Sequence, residues 1–226
     1  MQPPISKRLL ACCDLVHPGD RVADIGCDHG YLAIYLLQNN IASSVIASDI
    51  NPQPLEAAKR NAAKYAVLEN ITFYLSNGVQ SIPRDFNTLI CAGMGGDTMV
   101  SILKSAPWLA DSRYRLILQC QSKTPMLRKY LSDNGWTIQQ ERVLKDGRFL
   151  YTVMEVLYAP SAKLTPGQCY LPPALFVHPT EHLHDYCARV IAELEKIVCA
   201  QKENAHPYQI QALFELKTEA NYDNCK

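Results

Sequence analysis

Apolar positions along the chain follow two periods, one of about 3.6 residues and one of two, and they alternate in blocks. Ile5, Leu9, Cys13 and Val16 recur at helical spacing, with Ser6 placed as a cap and His17-Pro18-Gly19-Asp20 ending the helix. A strand over about Arg21 to Ile25 leads through two glycines into a helix from Tyr31 to Leu37. Ser44 to Ile50 reads as a second strand, and Asn51-Pro52 opens a helix carrying Leu55, Ala58, Ala62 and Tyr65. Ile71 to Leu75 reads as a third strand. Leu89 to Ala92 is a fourth, ended by Gly93-Met94-Gly95-Gly96 ahead of a helix over Thr98 to Leu103. Arg115 to Cys120 is a fifth, followed by a helix through Met126, Leu127 and Tyr130 that Asn134-Gly135 closes. Trp136 to Val143 and Phe149 to Tyr158 flank Asp146-Gly147 and predict an antiparallel hairpin. Five strand–helix repeats and a closing hairpin predict an α/β fold, a doubly wound Rossmann-like sheet that binds ligands at the C-terminal strand ends.

The pattern changes near Ala159-Pro160, dividing residues 1–160 from 161–226. Leu164 to Pro179 is proline-rich and reads as an ordered connector or bent loop. Beyond it, Leu183, Tyr186, Val190, Ile191, Leu194 and Val198 keep a helical period, as do Ile210, Leu213, Phe214 and Leu216 after His206-Pro207. The two stripes predict a small C-terminal domain built on a helical hairpin.

With 48% hydrophobic and 19% charged residues the chain has a globular balance, and its net charge of zero leaves nucleic-acid binding to a local basic face. Nine cysteines without a C-x-x-C pair argue for reduced thiols rather than a disulfide framework or structural zinc. With no signal-peptide pattern and no run of ~20 apolar residues, a cytoplasmic protein with no membrane or metal partner is expected, a monomer or weak homodimer. His178, His182 and His184 fit a loop-to-helix surface better than a metal site.

The chemistry concentrates at Asp24-x-Gly26-x-Asp28-x-Gly30. A dinucleotide turn keeps the space between its glycines free of acids so that a pyrophosphate can reach backbone N–H groups. Two carboxylates there would repel phosphate and suit a cationic, phosphate-free nucleoside, a description that S-adenosyl-L-methionine meets. Asp24 or Asp28 would take its ammonium; Asp28 also suits a helix cap. Asp49, at the end of the second strand, is placed to accept both ribose hydroxyls. Asn77-Gly78 could read the adenine edge, or be an ordinary turn. Ala92-Gly93-Met94-Gly95-Gly96 would present bare backbone where a methyl meets its acceptor. The Asn/Asp-Pro-Pro-aromatic tetrapeptide of amino-directed enzymes is missing, so a ring nitrogen with an in-plane lone pair is the more natural acceptor. Cys27 lies in the turn, where a helix N-terminus would favour its thiolate.

Ser6-Lys7-Arg8-Leu9, the segment from Ala23 to Leu32, Ala92-Gly93-Met94-Gly95-Gly96, Leu116-Ile117-Leu118-Gln119 and Leu127-Arg128-Lys129-Tyr130-Leu131 resemble the TrmK-type tRNA (adenine22-N1)-methyltransferases. The resemblance covers about residues 5–158. It implies an S-adenosyl-L-methionine-dependent catalytic domain (1–160), a helical domain that positions tRNA (161–226), and N1 methylation of an adenosine in the D arm. It places Asp24, Gly26, Cys27, Asp28, Gly30, Asp49, Ile50, Asn77, Gly78, Ala92, Gly93, Gly95 and Gly96 at the cofactor. Asp28, His29, Gly93 and Met94 fall at the reacting centre, and Lys7, Arg8, Tyr31, Arg128 and Lys129 on the tRNA side. Asn77 stands where the family has Asp, and Cys120 where it often has Pro. The alternatives are methyl transfer to a small molecule or another RNA position, and a silent RNA-binding protein that retains the cofactor.

Overall fold

A computed structural model describes residues 2–201 and 206–218. The chain runs α1 (Lys7–Cys13), β1 (Asp20–Ile25), α2 (Tyr31–Gln38), β2 (Ala42–Asp49), α3 (Pro52–Lys64), β3 (Ile71–Leu75), β4 (Thr88–Gly95), α4 (Gly96–Ser105), β5 (Arg115–Ser122) and α5 (Thr124–Asp133). It continues with β6 (Trp136–Asp146), β7 (Phe149–Tyr158), α6 (Pro166–Tyr170), α7 (Leu183–Gln201) and α8 (Pro207–Thr218). The strands form one sheet in the order β3-β2-β1-β4-β5-β7-β6, parallel except that β7 is antiparallel to both β5 and β6. Chain direction across the sheet reverses between β1 and β4, which opens a crevice at their C-terminal ends.

Helices cover both faces, which is why the central strands read as nearly unbroken apolar runs. Leu89, Cys91, Leu116 and Leu118 pack with Met99 and Leu103 of α4 and Leu127 and Leu131 of α5. Their neighbours Ile90 and Ile117 pack on the other face with Cys12, Leu32, Leu36, Ala58 and Ala62. The two-residue alternation of strand side chains sorts each run into these layers.

Several expectations change. β2 ends at Asp49, leaving Ile50 outside it; β3 joins β4 through turns, not a helix, so there are four strand–helix repeats rather than five. β4 continues through the glycines to Gly95, because shifts in register around Met94 keep it paired with Cys120 and Ser122 of β5. Gly30, not Asp28, caps α2, and the Ser6 hydroxyl makes no capping bond at α1. The proline-rich connector forms α6 and a 3-10 turn over Pro173–Phe176. A reciprocal Thr165–Gln168 capping box starts α6, which Glu215 of α8 ties down by accepting the Gly167 N–H at 2.6 Å. Leu171, Leu175, Leu183, Tyr186, Ile191, Leu194, Ala212 and Leu216 share a third apolar cluster with Val143 of β6. Cys225 lies outside the described residues, and among the described residues no two cysteines form a disulfide.

Candidate active site at the crossover crevice

The turn after β1 needs a left-handed backbone at every second residue. Gly26 (φ +74°), Asp28 (φ +49°) and Gly30 (φ +73°) all adopt it. Glycine takes this region freely and aspartate better than most residues, so the conformation permits a carboxylate at Asp28. The Gly26 and Cys27 N–H groups both donate to the Ser48 carbonyl, at 2.8 and 2.9 Å, tying the turn to β2. A Cβ on Gly30 would lie 3.0 Å from that of Ala58, so the third glycine lets α2 approach α3.

Around this turn opens a cavity of about 300 Å³ lined by Asp24, Gly26, Cys27, Asp28, His29, Tyr31, Ala92 and Gly93, with Arg8, Leu9, Leu32 and Gln121. Asp24 is 3% exposed, and its Oδ2 is buried without a hydrogen-bond partner. Burial, then the charges of Asp49 and Asp28, push its carboxyl up to about 7. A buried, orphaned carboxylate facing a cavity is uncommon, and a cation entering the cavity would resolve it. Asp49 accepts the Asp28 N–H (3.3 Å) and the Asn51 N–H (2.9 Å), which places its carboxylate beside the turn. Ile50, next in the chain, is 61% exposed and is not part of the cavity lining. Asn77 and Gly78 lie in the turn after β3, outside the cavity lining.

The structure divides the glycine run. Ala92 and Gly93 line the cavity, whereas Gly95 and Gly96 do not. A Cβ on Gly96 would lie 2.7 Å from the Lys123 carbonyl, so this glycine serves close packing of α4 against the chain after β5. The Met94 side chain reaches back over the turn, its Cε 2.4 Å from the place a Gly26 Cβ would take.

Two expectations are corrected. Cys27 is buried, and burial followed by the Asp24 and Asp49 charges raises its thiol, opposite to the thiolate expected of a helix N-terminus. Arg128 is 0% exposed and cannot meet tRNA. It donates to both carboxylate oxygens of Glu141 (2.6 and 3.1 Å), to the Cys169 and Tyr170 carbonyls, and to the Tyr186 hydroxyl. Burial opposes its charge, but Glu141 and Tyr186 outweigh that and hold the guanidinium above its ordinary value. Lys129 is on the surface, paired with Asp133. His29 lies 3.6 Å from Asp28, and its ring is 5.8 Å from that of Tyr31.

Sequence reasoning left out Leu9, Gln119 and Gln121. Gln119 is fully buried, accepts the Gly93 N–H at 3.0 Å and takes a 3.4 Å bond from Arg8. Its signal was an amide in an otherwise apolar strand, where it must have a partner. Among the described residues no group of three or more His, Cys, Asp or Glu could hold a metal, and no helix is long and apolar enough to cross a membrane.

A crossover crevice whose strand ends carry acids rather than a phosphate-binding loop defines an S-adenosyl-L-methionine-type methyltransferase fold. A family model described as a methyltransferase domain matches residues 5–154. A provisionally named tRNA methyltransferase of Mycoplasma genitalium is 32% identical over 185 residues, 79% of this chain and 82% of the relative. The tRNA (adenine(22)-N(1))-methyltransferase of Bacillus subtilis is 30% identical, over 66% of this chain and 63% of its own. The structure of M. capricolum TrmK with S-adenosyl-homocysteine superposes with TM-score 0.74 at 25% identity, over 98% of this chain and 95% of that one. The chain belongs to the methyltransferase domain family and, within it, to the TrmK-type enzymes.

Proposed function

We propose that this protein transfers the methyl group of S-adenosyl-L-methionine to N1 of adenosine 22 in tRNA, the reaction for which the Bacillus subtilis relative is named. The observation that carries the reading is the buried Asp24 carboxylate, facing a cavity at the crossover point with one oxygen unpartnered. It calls for a cationic nucleoside there. When bound, S-adenosyl-L-methionine supplies a methyl carbon made electrophilic by its sulfonium.

Asp24 and Asp28 hold the ammonium, and Asp49 accepts the ribose hydroxyls. Ile50 gives the adenine an apolar face, with Asn77 and Gly78 at its edge. The Gly26, Cys27 and Gly30 backbone shapes the turn. Ala92, Gly93 and Met94 border the place where the target base arrives. Adenine N1 carries an in-plane lone pair. Methyl transfer to N1 would leave a cationic N1-methyladenosine, so the residues bordering the base have a position to fix rather than a proton to remove. His29, exposed at the rim of the turn and 3.6 Å from Asp28, is placed to take the proton that later leaves the exocyclic amine. Tyr31, ring-to-ring with His29, offers the base a stacking surface. The target leaves its stack at a cost of a few kcal/mol. Lys7, Lys129 and the helices within 161–226 hold the tRNA body, in the cytoplasm, with the enzyme acting as a monomer or weak homodimer.

The test is mass spectrometry of nucleosides from unmodified tRNA incubated with the protein and isotope-labelled S-adenosyl-L-methionine. Labelled N1-methyladenosine, with a primer-extension stop at position 22, is the expected result. Label on guanosine or cytidine overturns the acceptor. No label on any RNA, with cofactor binding intact, overturns the enzymatic reading in favour of a cofactor-retaining RNA-binding protein.

A further inference from the structure

The crevice offers its ligand two carboxylates and one strong cation. Arg8, in the first turn of α1, is among the described residues the only lysine or arginine lining it. Its guanidinium is held from two sides. Nη1 donates to Gln119 Oε1 at 3.4 Å, and Nε lies 3.7 Å from Asp146 Oδ2 at the end of β6. One long hydrogen bond and one ion pair engage only part of a group with five N–H donors.

Gln119 is placed for more than filling space. The oxygen that accepts from Arg8 also accepts the Gly93 N–H, and its amide donates to the Cys120 carbonyl at 3.3 Å. Gly93 is left-handed (φ +78°), and a Cβ there would lie 3.1 Å from Arg8 Nη1. The guanidinium therefore rests against bare backbone on the cavity wall, with a buried amide fixing both. His29 does not compete for this place, because its side chain is 55% exposed and faces Asp28.

A ligand complementary to this wall carries a cation for Asp24 and Asp28 and an anion for Arg8, the two charges of an α-amino acid joined to a nucleoside. We propose that Arg8 binds the α-carboxylate of the cofactor's methionine moiety, and that Gln119 is the positioning residue holding Arg8 and the Gly93 amide in register. The inference rests on the S-adenosyl-L-methionine reading above. It moves Arg8 from the tRNA side, where the sequence resemblance put it, to the cofactor.

The full chain is titrated calorimetrically with S-adenosylhomocysteine and with its decarboxylated analogue, which keeps the adenosine and the ammonium and lacks only the carboxylate. The wild type is expected to prefer the carboxylate-bearing ligand by about 10- to 100-fold, the scale of one charge-assisted pair. Arg8→Met should bind both ligands alike and Arg8→Lys should keep part of the preference, each with a wild-type melting temperature. Gln119→Leu should reduce the preference without abolishing it. An Arg8→Met protein that keeps the full preference overturns the assignment, as does one that loses affinity for tRNA alone. A wild type that binds neither ligand overturns the cofactor reading itself, and the Arg8 role with it.

Discussion

β1 carries one buried aspartate near each end, and their surroundings are opposite. Asp20, at the N-terminal end, accepts from Asn87 (2.7 Å), Thr88 (2.8 Å), Arg115 (2.6 Å) and the His17 N–H (3.0 Å). Asp24, at the C-terminal end, is buried just as deeply and has an oxygen with no partner. The same side chain on the same strand supports the fold at one end and awaits a ligand at the other. Burial alone does not tell them apart. What separates them is whether the protein itself supplies the opposite charge.

Removing each carboxylate tests this most strongly. Asp20→Ala leaves the buried Arg115 with the Thr88 hydroxyl at 3.2 Å and the Glu155 carboxylate at 3.6 Å, and should cost about 3 kcal/mol in chemical denaturation while sparing cofactor affinity in the folded fraction. Asp24→Asn should do the reverse. Cofactor affinity should fall about 100-fold by calorimetry, while relief of a buried charge leaves Tm unchanged or raises it by roughly 2–4 °C. A marked loss of Tm in Asp24→Asn would erase the distinction between the two ends.

Titration gives a finer test. Asp24 must be ionised to receive an ammonium, and its carboxyl sits at about 7. Cofactor affinity should thus fall about tenfold per pH unit below that value and level off above it. The folded state keeps this proton between 3.8 and about 7, where the unfolded chain has lost it. Stability contributed by this group is therefore full below the lower value and lost as pH rises through the upper one. In Asp24→Asn both dependences should vanish.

The smallest effects come from two glycines flanking the strand, Gly19 (φ +86°) and Gly26 (φ +74°). Alanine at either should cost about 1 kcal/mol, from the left-handed backbone. Only Gly26→Ala should also weaken the cofactor, by several-fold in the same titration. Equal cofactor affinities for the two variants would mean that the turn tolerates a side chain.

Most of the architecture could be read from the alternation of apolar positions, because a sheet covered on both faces imposes it strand by strand. What escaped depended on contacts distant in sequence. The continuation of β4 through Gly93 to Gly95 is set by pairing with β5, while locally those residues signal a turn. Arg128 has the composition of a surface helix residue, although it falls on the apolar side of α5 beside Leu127 and Leu131. Its partners come from β6, α6 and α7, up to 58 residues away. The acids of the crevice were legible because turn geometry and carboxylate spacing are local. Gln119 was not, since its importance lies in bridging β4 and α1.

Arg128 joins α5 and β6 of the sheet to α6 and α7 beyond residue 160 through a single guanidinium. A nucleic acid gripped by the C-terminal helices is consequently gripped at a set span from the Gly93 amide. Should those helices hold the tRNA as proposed, they would work as a calliper, setting by their reach which stretch of it arrives at the crevice.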